Sequence, residues 1–169
     1  RCLSQTDSLT GLYNPRYLRE RLPGELERAT RYGRALSLLV IDCDNFKRIN
    51  DCYGHLEGDK VLQTLARVIQ ECLRRSDSAF RYGGEEFVVL LPETESSAAV
   101  ALADRLRGLF EAQETLMANG EIIRCTISIG VSQHVLTDTE STLIRRADNA
   151  CYVAKERGRN RVVLEDSAG

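Results

Sequence analysis

Apolar residues recur at helical spacing through 15–32, where Tyr17, Leu18, Leu22, Leu26 and Ala29 share a face and Pro15 suits a first helical turn. Pro23-Gly24 is expected to kink or split that helix. A continuous apolar run at 35–42 reads as a buried strand, 45–53 as a short helix, and 56–75 as a long one. The long helix carries Val61, Leu62, Leu65, Val68, Ile69, Cys72 and Leu73 as its core stripe. Strand-like runs at 78–82 and 86–91 flank Gly83-Gly84, a hairpin signal because glycine takes positive φ without a Cβ clash. Next come a helix at 96–112 through Val100, Ala103, Leu106 and Phe110, and strands at 121–125 and 126–133, readable also as one broken strand. A helix at 139–157 and a strand at 161–164 complete the pattern. Residues 1–14 are polar and turn-rich, with Leu9 and Leu12 placed to pin a short hairpin or wrap to the core. Helices and strands interleave around a central hairpin, which predicts an α+β fold: a mostly antiparallel sheet flanked by helices.

The length of 169 residues fits one domain over 1–169, with 1–6 as the end of an upstream linker and 165–169 as a tail. A net charge of −2 argues against the broad basic face that nucleic acid requires, so polyanion binding should be local. Six cysteines, Cys2, Cys43, Cys52, Cys72, Cys125 and Cys151, lack metal-ligand spacing and read as free buried thiols of a reducing cytoplasm. No apolar run approaches the roughly 20 residues of a membrane span. The first residue is Arg1, which leads us to expect a fragment whose upstream part, sensory or membrane-anchored, has been cut away.

Charge matters most where apolar strands end in acids. Asp42 closes the 35–42 run, where a carboxylate is poorly solvated unless a cation or donor meets it. Glu85 and Glu86 follow the glycine pair, and two acids beside a tight turn suit a hard cation or a phosphate-bearing substrate. Asp42 and Glu85 are therefore candidate co-ligands, the alternative for the hairpin being a solvated tip. Neighbours on an extended strand point to opposite sides, so Glu86 joins them only if the turn relaxes that rule. The turn after Asp42 runs into a helix, which offers the amides of Asp44, Asn45 and Phe46, with Lys47, to phosphate oxygens. Lys155 and Arg159 lie four apart and share a face if the last helix continues, although cations at a helix C-terminus are favourable without any ligand. Asn50 and Asp59 read equally as capping and turn residues, and Arg74, Asp77 and Arg105 as a solvated charged cluster at a helix end.

Gly83-Gly84-Glu85-Glu86-Phe87 is similar to the signature loop of the GGDEF family of diguanylate cyclases, in its common Glu variant. Asp7 to Asn14, Asp42 to Lys47, Asn50 to Asp59 and Ala154 to Asn160 match further blocks in the family's order, with Pro15 standing where arginine is usual. The resemblance implies a ferredoxin-like, polymerase-palm-related nucleotidyl cyclase fold. It implies Mg²⁺, with Mn²⁺ as a substitute, held by Asp42, the backbone carbonyl of Cys43 and Glu85. Glu86 would add to metal binding or activate a 3′-hydroxyl, and Asp44 would be structural. Lys155 and Arg159 would hold the triphosphate, beside Lys47 and the backbone of Asn45 and Phe46. Asn50 and Asp59 would read guanine, since a carboxylate accepts from both N1–H and the 2-amino group. Arg74 and Asp77 match the ends of an Arg-x-x-Asp inhibitory motif for cyclic di-GMP, with Arg105 supporting. The implied reaction joins two GTP across a homodimer of half-sites under an upstream sensory domain. Two rivals stay open: a silent cyclic di-GMP receptor, and a GTP-binding module that activates a partner phosphodiesterase.

Overall fold

The computed structural model describes residues 3–166. The expectations for Arg1 and Cys2, and for 167–169 of the tail, lie outside them. The elements run α1 (Pro15–Tyr32), β1 (Leu36–Cys43), α2 (Phe46–Tyr53), α3 (His55–Cys72), β2 (Ser78–Arg81), β3 (Glu86–Pro92), α4 (Ser96–Glu111), β4 (Thr115–Leu116), β5 (Ile122–Ile123), β6 (Ile127–Gln133), α5 (Glu140–Glu156) and β7 (Arg161–Leu164). Five strands form one sheet in the order β2-β3-β1-β6-β7. β1 is antiparallel to both β3 and β6, and only β6–β7 is parallel, in line with the α+β expectation.

Strand alternation divides the core into two layers. Leu36, Leu38 and Val40 of β1 pack with Val88, Leu90 and the buried faces of α1 and α5. Leu39, Ile41 and Cys43 face the other way, into a larger cluster with α2, α3 and α4. Asp42 follows Val40 in alternation and so lies at the α1/α5 side. α5 lies so close to β6 that a Cβ on Gly130 would stand 2.0 Å from the Ala147 carbonyl oxygen. Only glycine fits that contact.

Several sequence expectations change. α1 runs unbroken through Pro23. That ring sits on an exposed face, where the carbonyl of Arg19 that loses its partner can be met by water. α3 ends at Cys72 because Leu73 turns extended, which leaves Arg74 to Asp77 in a turn. In place of a strand over 121–125, Ile122–Ile123 pairs with Thr115–Leu116 in a separate two-stranded ribbon. Cys43, Cys72, Cys125 and Cys151 are free and buried, but Cys52 is exposed. The opening turn does wrap onto the core, through a Thr6–Tyr13 bridge and buried Leu12.

The start of α5 is fixed by a capping box between Thr139 and Thr142 and, just before it, by one carboxylate. Asp138 accepts from the Val135 amide (2.9 Å), the Thr142 hydroxyl (2.8 Å) and the Arg146 guanidinium, and Arg146 also reaches Glu165 and the Gln133 carbonyl, each at 2.8 Å. Burial alone would raise the Asp138 pKa, but these donors hold it below the usual carboxylate range. Its stabilising contribution is therefore present above the unfolded-state pKa and is lost as pH falls through the lowered folded value. Asp138→Ala should cost about 1–2 kcal/mol at neutral pH, because the Val135 amide and Thr142 hydroxyl lose their acceptor while Arg146 keeps Glu165 and the Gln133 carbonyl, measured by denaturant unfolding. The difference from the parent should shrink in acid.

Candidate active site

Three elements end at one edge of the sheet, and each delivers an acid or a cation. β1 brings Asp42 directly opposite Glu86 of β3 and Ser128 of β6. The ladder continues past the strands, with the Cys43 amide donating to the Glu85 carbonyl at 3.2 Å and the Asp44 amide to the Thr126 carbonyl at 2.9 Å. The second bond removes Asp44 from the amides expected to face phosphate. Those of Asn45 and Phe46 remain, at the N-terminus of α2. Asn45 has φ 55° and makes no side-chain cap, so that helix end is open to an external anion. Lys47 is exposed in its first turn.

Asp44 is a buried brace. It accepts from Thr126 Oγ1 (2.7 Å), Ser128 Oγ (2.6 Å) and the Asn160 amide (3.0 Å), tying β1 to β6 and to the turn after α5. That turn replaces the continued helix expected for Lys155 and Arg159. α5 ends at Glu156, Gly158 and Arg159 have φ of 118° and 66°, and the Arg159 amide bonds back to the Ala154 carbonyl at 3.0 Å. The two cations therefore come from the helix and from its left-handed C-terminal turn. Lys155 Nζ lies 2.8 Å from Asp42 Oδ2, while Asp42 Oδ1 is buried with no hydrogen-bond partner.

The signature turn differs from a two-residue glycine hairpin. Arg81↔Phe87 is its last ladder pair, and neither Gly83 nor Gly84 has positive φ. A Cβ on Gly83 would press on Glu86 Oε1 at 3.3 Å, the free end of a flexible side chain, and one on Gly84 would project into open space. The turn is held by Tyr82 and Gly83 amides on the Glu86 carbonyl and by Arg81, whose Nη2 donates to the Gly84 carbonyl at 2.8 Å while Nη1 pairs with Asp7 at 3.3 Å. This Asp7–Arg81 tie was missed in the sequence, where a separation of 74 residues hides it.

Glu86 stands directly opposite Asp42 in the ladder, so the cross-strand register itself puts these two on one face, and Glu85 precedes Glu86 in the turn. Burial first, and the Asp42 charge second, push the Glu85 and Glu86 carboxyls above their usual pKa. Burial likewise raises Asp42, against the pull of Lys155. The edge thus gathers more negative charge than Lys155 neutralises, which favours a further cation. Its Glu86 end opens on a cavity of about 730 Å³ lined by Leu22, Tyr82, Ile144, Arg145 and Asp148.

Asn50 and Asp59 flank the α2–α3 corner. A Cβ on Gly58 would stand 2.0 Å from Asn50 Oδ1 and 3.0 Å from the Phe46 ring, so glycine here lets the Asn50 side chain lie against α3. On the far side of the domain, Arg74 is bound by Asp77 (Nη2–Oδ1 3.1 Å), the Pro92 carbonyl (3.1 Å) and Thr94 Oγ1 (2.8 Å). Arg105 Nη2 donates to the Cys72 carbonyl at 3.0 Å, and all three charged residues line one cavity of about 510 Å³.

Comparison with known proteins identifies the family and the fold. The family profile "Diguanylate cyclase, GGDEF domain" matches residues 4–161. Diguanylate cyclase A of Treponema denticola is 51% identical over 131 residues, covering 76% of this chain and 35% of the relative. The response regulator PleD of Caulobacter vibrioides is 45% identical over 163 residues, covering 95% and 36% respectively. This chain thus spans about a third of those relatives' length. The GGDEF domain of DgcB from Caulobacter crescentus, solved in complex with c-di-GMP, superposes with a TM-score of 0.94 at 31% identity, over 99% of this chain and 96% of that one. Sharing that α+β, palm-like fold and matching the profile over nearly all its residues, the chain belongs to the GGDEF family of diguanylate cyclase domains.

Proposed function

We propose that the chain condenses two GTP into cyclic di-GMP and two pyrophosphates, each domain of a homodimer supplying one nucleotide and half of the active site. The observation that carries this reading is the acidic edge, where Asp42 stands opposite Glu86, Glu85 precedes Glu86 in the turn, and Asp42 Oδ1 is buried without a partner. An orphaned carboxylate oxygen among raised carboxyls fits a hard divalent cation, Mg²⁺ with Mn²⁺ as a substitute. Among the described residues no three His, Cys, Asp or Glu side chains form a metal cluster. As the family resemblance implies, the protein ligands would be Asp42, Glu85 and the Cys43 carbonyl. When bound, the ion neutralises phosphate charge and acidifies the attacking hydroxyl.

The residues of the chain do the rest. Lys155, Arg159, Lys47 and the amides of Asn45 and Phe46 hold the triphosphate, with the α-phosphate over the signature turn. Asn50 and Asp59 fix the guanine, Asp59 accepting from N1–H and the 2-amino group, a pattern that adenine cannot offer. Each 3′-oxygen then bonds to the other nucleotide's α-phosphorus as the bond to pyrophosphate breaks, and the hydroxyl proton passes to Glu86. Positioning and charge stabilisation account for most of the rate in such in-line transfers. Fused to a dimerising coiled coil and incubated with GTP and Mg²⁺, the domain should yield cyclic di-GMP and pyrophosphate, while ATP stays unconsumed; no product from GTP in that fused dimer would refute the reading. An upstream sensory region would control the encounter of the two domains.

The cavity lined by Arg74, Asp77 and Arg105 is the proposed inhibitory site for the product. Asp77, the Pro92 carbonyl and Thr94 hold Arg74 through Nε and Nη2, so its guanidinium is already oriented and its exposed side can meet the ligand. Arg74→Ala should therefore abolish inhibition by added cyclic di-GMP, with initial rates of GTP turnover within about twofold of the parent. Inhibition that persists unchanged would remove Arg74 from the site.

A further inference from the structure

The ribbon of β4 and β5 braces the corner that carries Asn50 and Asp59. Two residues pair on each strand, Thr115 with Ile123 and Leu116 with Ile122, too few for a hairpin to hold itself together in water. The ribbon is pinned at three points instead. Met117 is buried in the main core. Tyr53, the last residue of α2, donates its hydroxyl to Glu121 Oε2 at 2.6 Å. Glu57, in the first turn of α3, is 6% exposed; its Oε1 accepts the Ala118 amide and its Oε2 lies 2.7 Å from Lys60 Nζ. Lys60 first, and the Ala118 amide second, lower the Glu57 pKa against burial, so the carboxylate is charged at neutral pH.

α2 and α3 meet at Gly54, whose φ is 92° and which serves as the cap of both helices. The α2 N-terminus has no side-chain cap, and eight residues give that helix little rigidity of its own. The angle between the helices sets the separation of Asn50 from Asp59. One tie from each helix, on opposite sides of Gly54, ends on the same ribbon. Nothing in base recognition requires a buried carboxylate at position 57, yet burying one is costly unless its partners are fixed.

We propose that Glu57 is a positioning residue for base recognition, tying α3 to the 115–123 ribbon so that Asn50 and Asp59 are held at the spacing that reads a guanine edge. Tyr53 is its counterpart on α2. The inference rests on the reading of the chain as a GTP-using cyclase and names a residue outside the nucleotide contacts.

The test measures KM and kcat for GTP and for ITP, which keeps N1–H and lacks the 2-amino group, in the parent, Glu57→Ala, Glu57→Gln and Tyr53→Phe. In Glu57→Ala, KM for GTP should rise roughly tenfold with kcat within about twofold, and the preference for GTP over ITP should shrink. Glutamine retains an oxygen that accepts the Ala118 amide and should recover most of the affinity. Tyr53→Phe should raise KM by a smaller factor, and it decides the matter if Glu57→Ala unfolds. An unchanged KM in both Glu57→Ala and Tyr53→Phe overturns the proposal, as does a loss confined to kcat or a Gln variant as impaired as Ala. Parental turnover with unchanged KM in the variants removes only the bracing role. All variants are measured as fusions to a dimerising coiled coil, and a fused parent that leaves GTP untouched removes the cyclase reading, and the bracing role with it.

Discussion

Glu85→Gln should lower GTP turnover by about a thousandfold or more while the fold and the Arg74 cavity stay intact. The side chain sits in the signature turn, its carbonyl bonded to the Cys43 amide and its carboxyl raised by burial and by the Asp42 charge. Glutamine keeps the shape and the backbone bond and removes only the charge. A neutral amide is a poor ligand for a hard cation, so both phosphate neutralisation and hydroxyl activation are lost together. Pyrophosphate release measures the effect, with thermal unfolding and cyclic di-GMP binding as controls that should match the parent. The raised pKa values of Asp42, Glu85 and Glu86 have a parallel consequence. Asp42 and Glu85 must lose their protons to bind a cation, and Glu86 its own to accept the hydroxyl proton, so activity at limiting Mg²⁺ should begin to fall, as pH drops, at a higher pH than unperturbed carboxylates would set. Higher Mg²⁺ should move that limb to lower pH, because cation binding favours the ionised form.

Asp59→Asn should collapse the preference for GTP over ATP by up to roughly 10⁴-fold. A carboxylate facing the guanine edge accepts two donors, and the same carboxylate facing adenine N1 meets a lone pair with its own charge. Discrimination of this kind comes chiefly from the penalty on the wrong base, since a desolvated acid left unpaired is costly. Asparagine presents one donor and one acceptor and removes that penalty. The expected signature in competition between GTP and ATP is a large loss for GTP and a gain for ATP. Equal losses for both would place Asp59 in the fold of the corner rather than in base reading.

The acids behind the first expectation were legible as a pattern, an apolar strand closing on Asp42 and a glycine turn followed by Glu85 and Glu86, whereas Asp59 read locally as a capping or turn residue and drew its guanine role only from the resemblance to the GGDEF family. An apolar strand that ends in Asp42 and a hairpin whose far strand begins at Glu86 bring two acids together whenever the strands pair antiparallel, as β1 and β3 do. Periodicity likewise located the long helices, whose apolar stripes are the buried faces. What escaped is set by contacts distant in sequence or by turns too short to carry a period. The ribbon at 115–123 has two residues per strand, so Ile122 and Ile123 read as part of one longer strand with their neighbours. Pro23 lies on an outward face, where a missing amide costs the helix little. Lys155 and Arg159 seemed to share a helical face because four-residue spacing says nothing about where the helix stops, and Gly158 stops it between them. The Asp7–Arg81 and Asp44–Asn160 ties have no local signal at all.

The half-site dimer is the central claim, and the initial rate of cyclic di-GMP formation against protein concentration tests it most directly, with GTP and Mg²⁺ saturating and product removed as it forms. Two domains must meet for each 3′-hydroxyl to reach the other α-phosphate, so the expected rate rises faster than linearly at low concentration and becomes linear once the dimer is saturated. Fusion to a dimerising coiled coil should make it linear throughout. A rate strictly proportional to the concentration of a protein shown to be monomeric would contradict the half-site mechanism, and silence even in the fused dimer would contradict the cyclase reading itself.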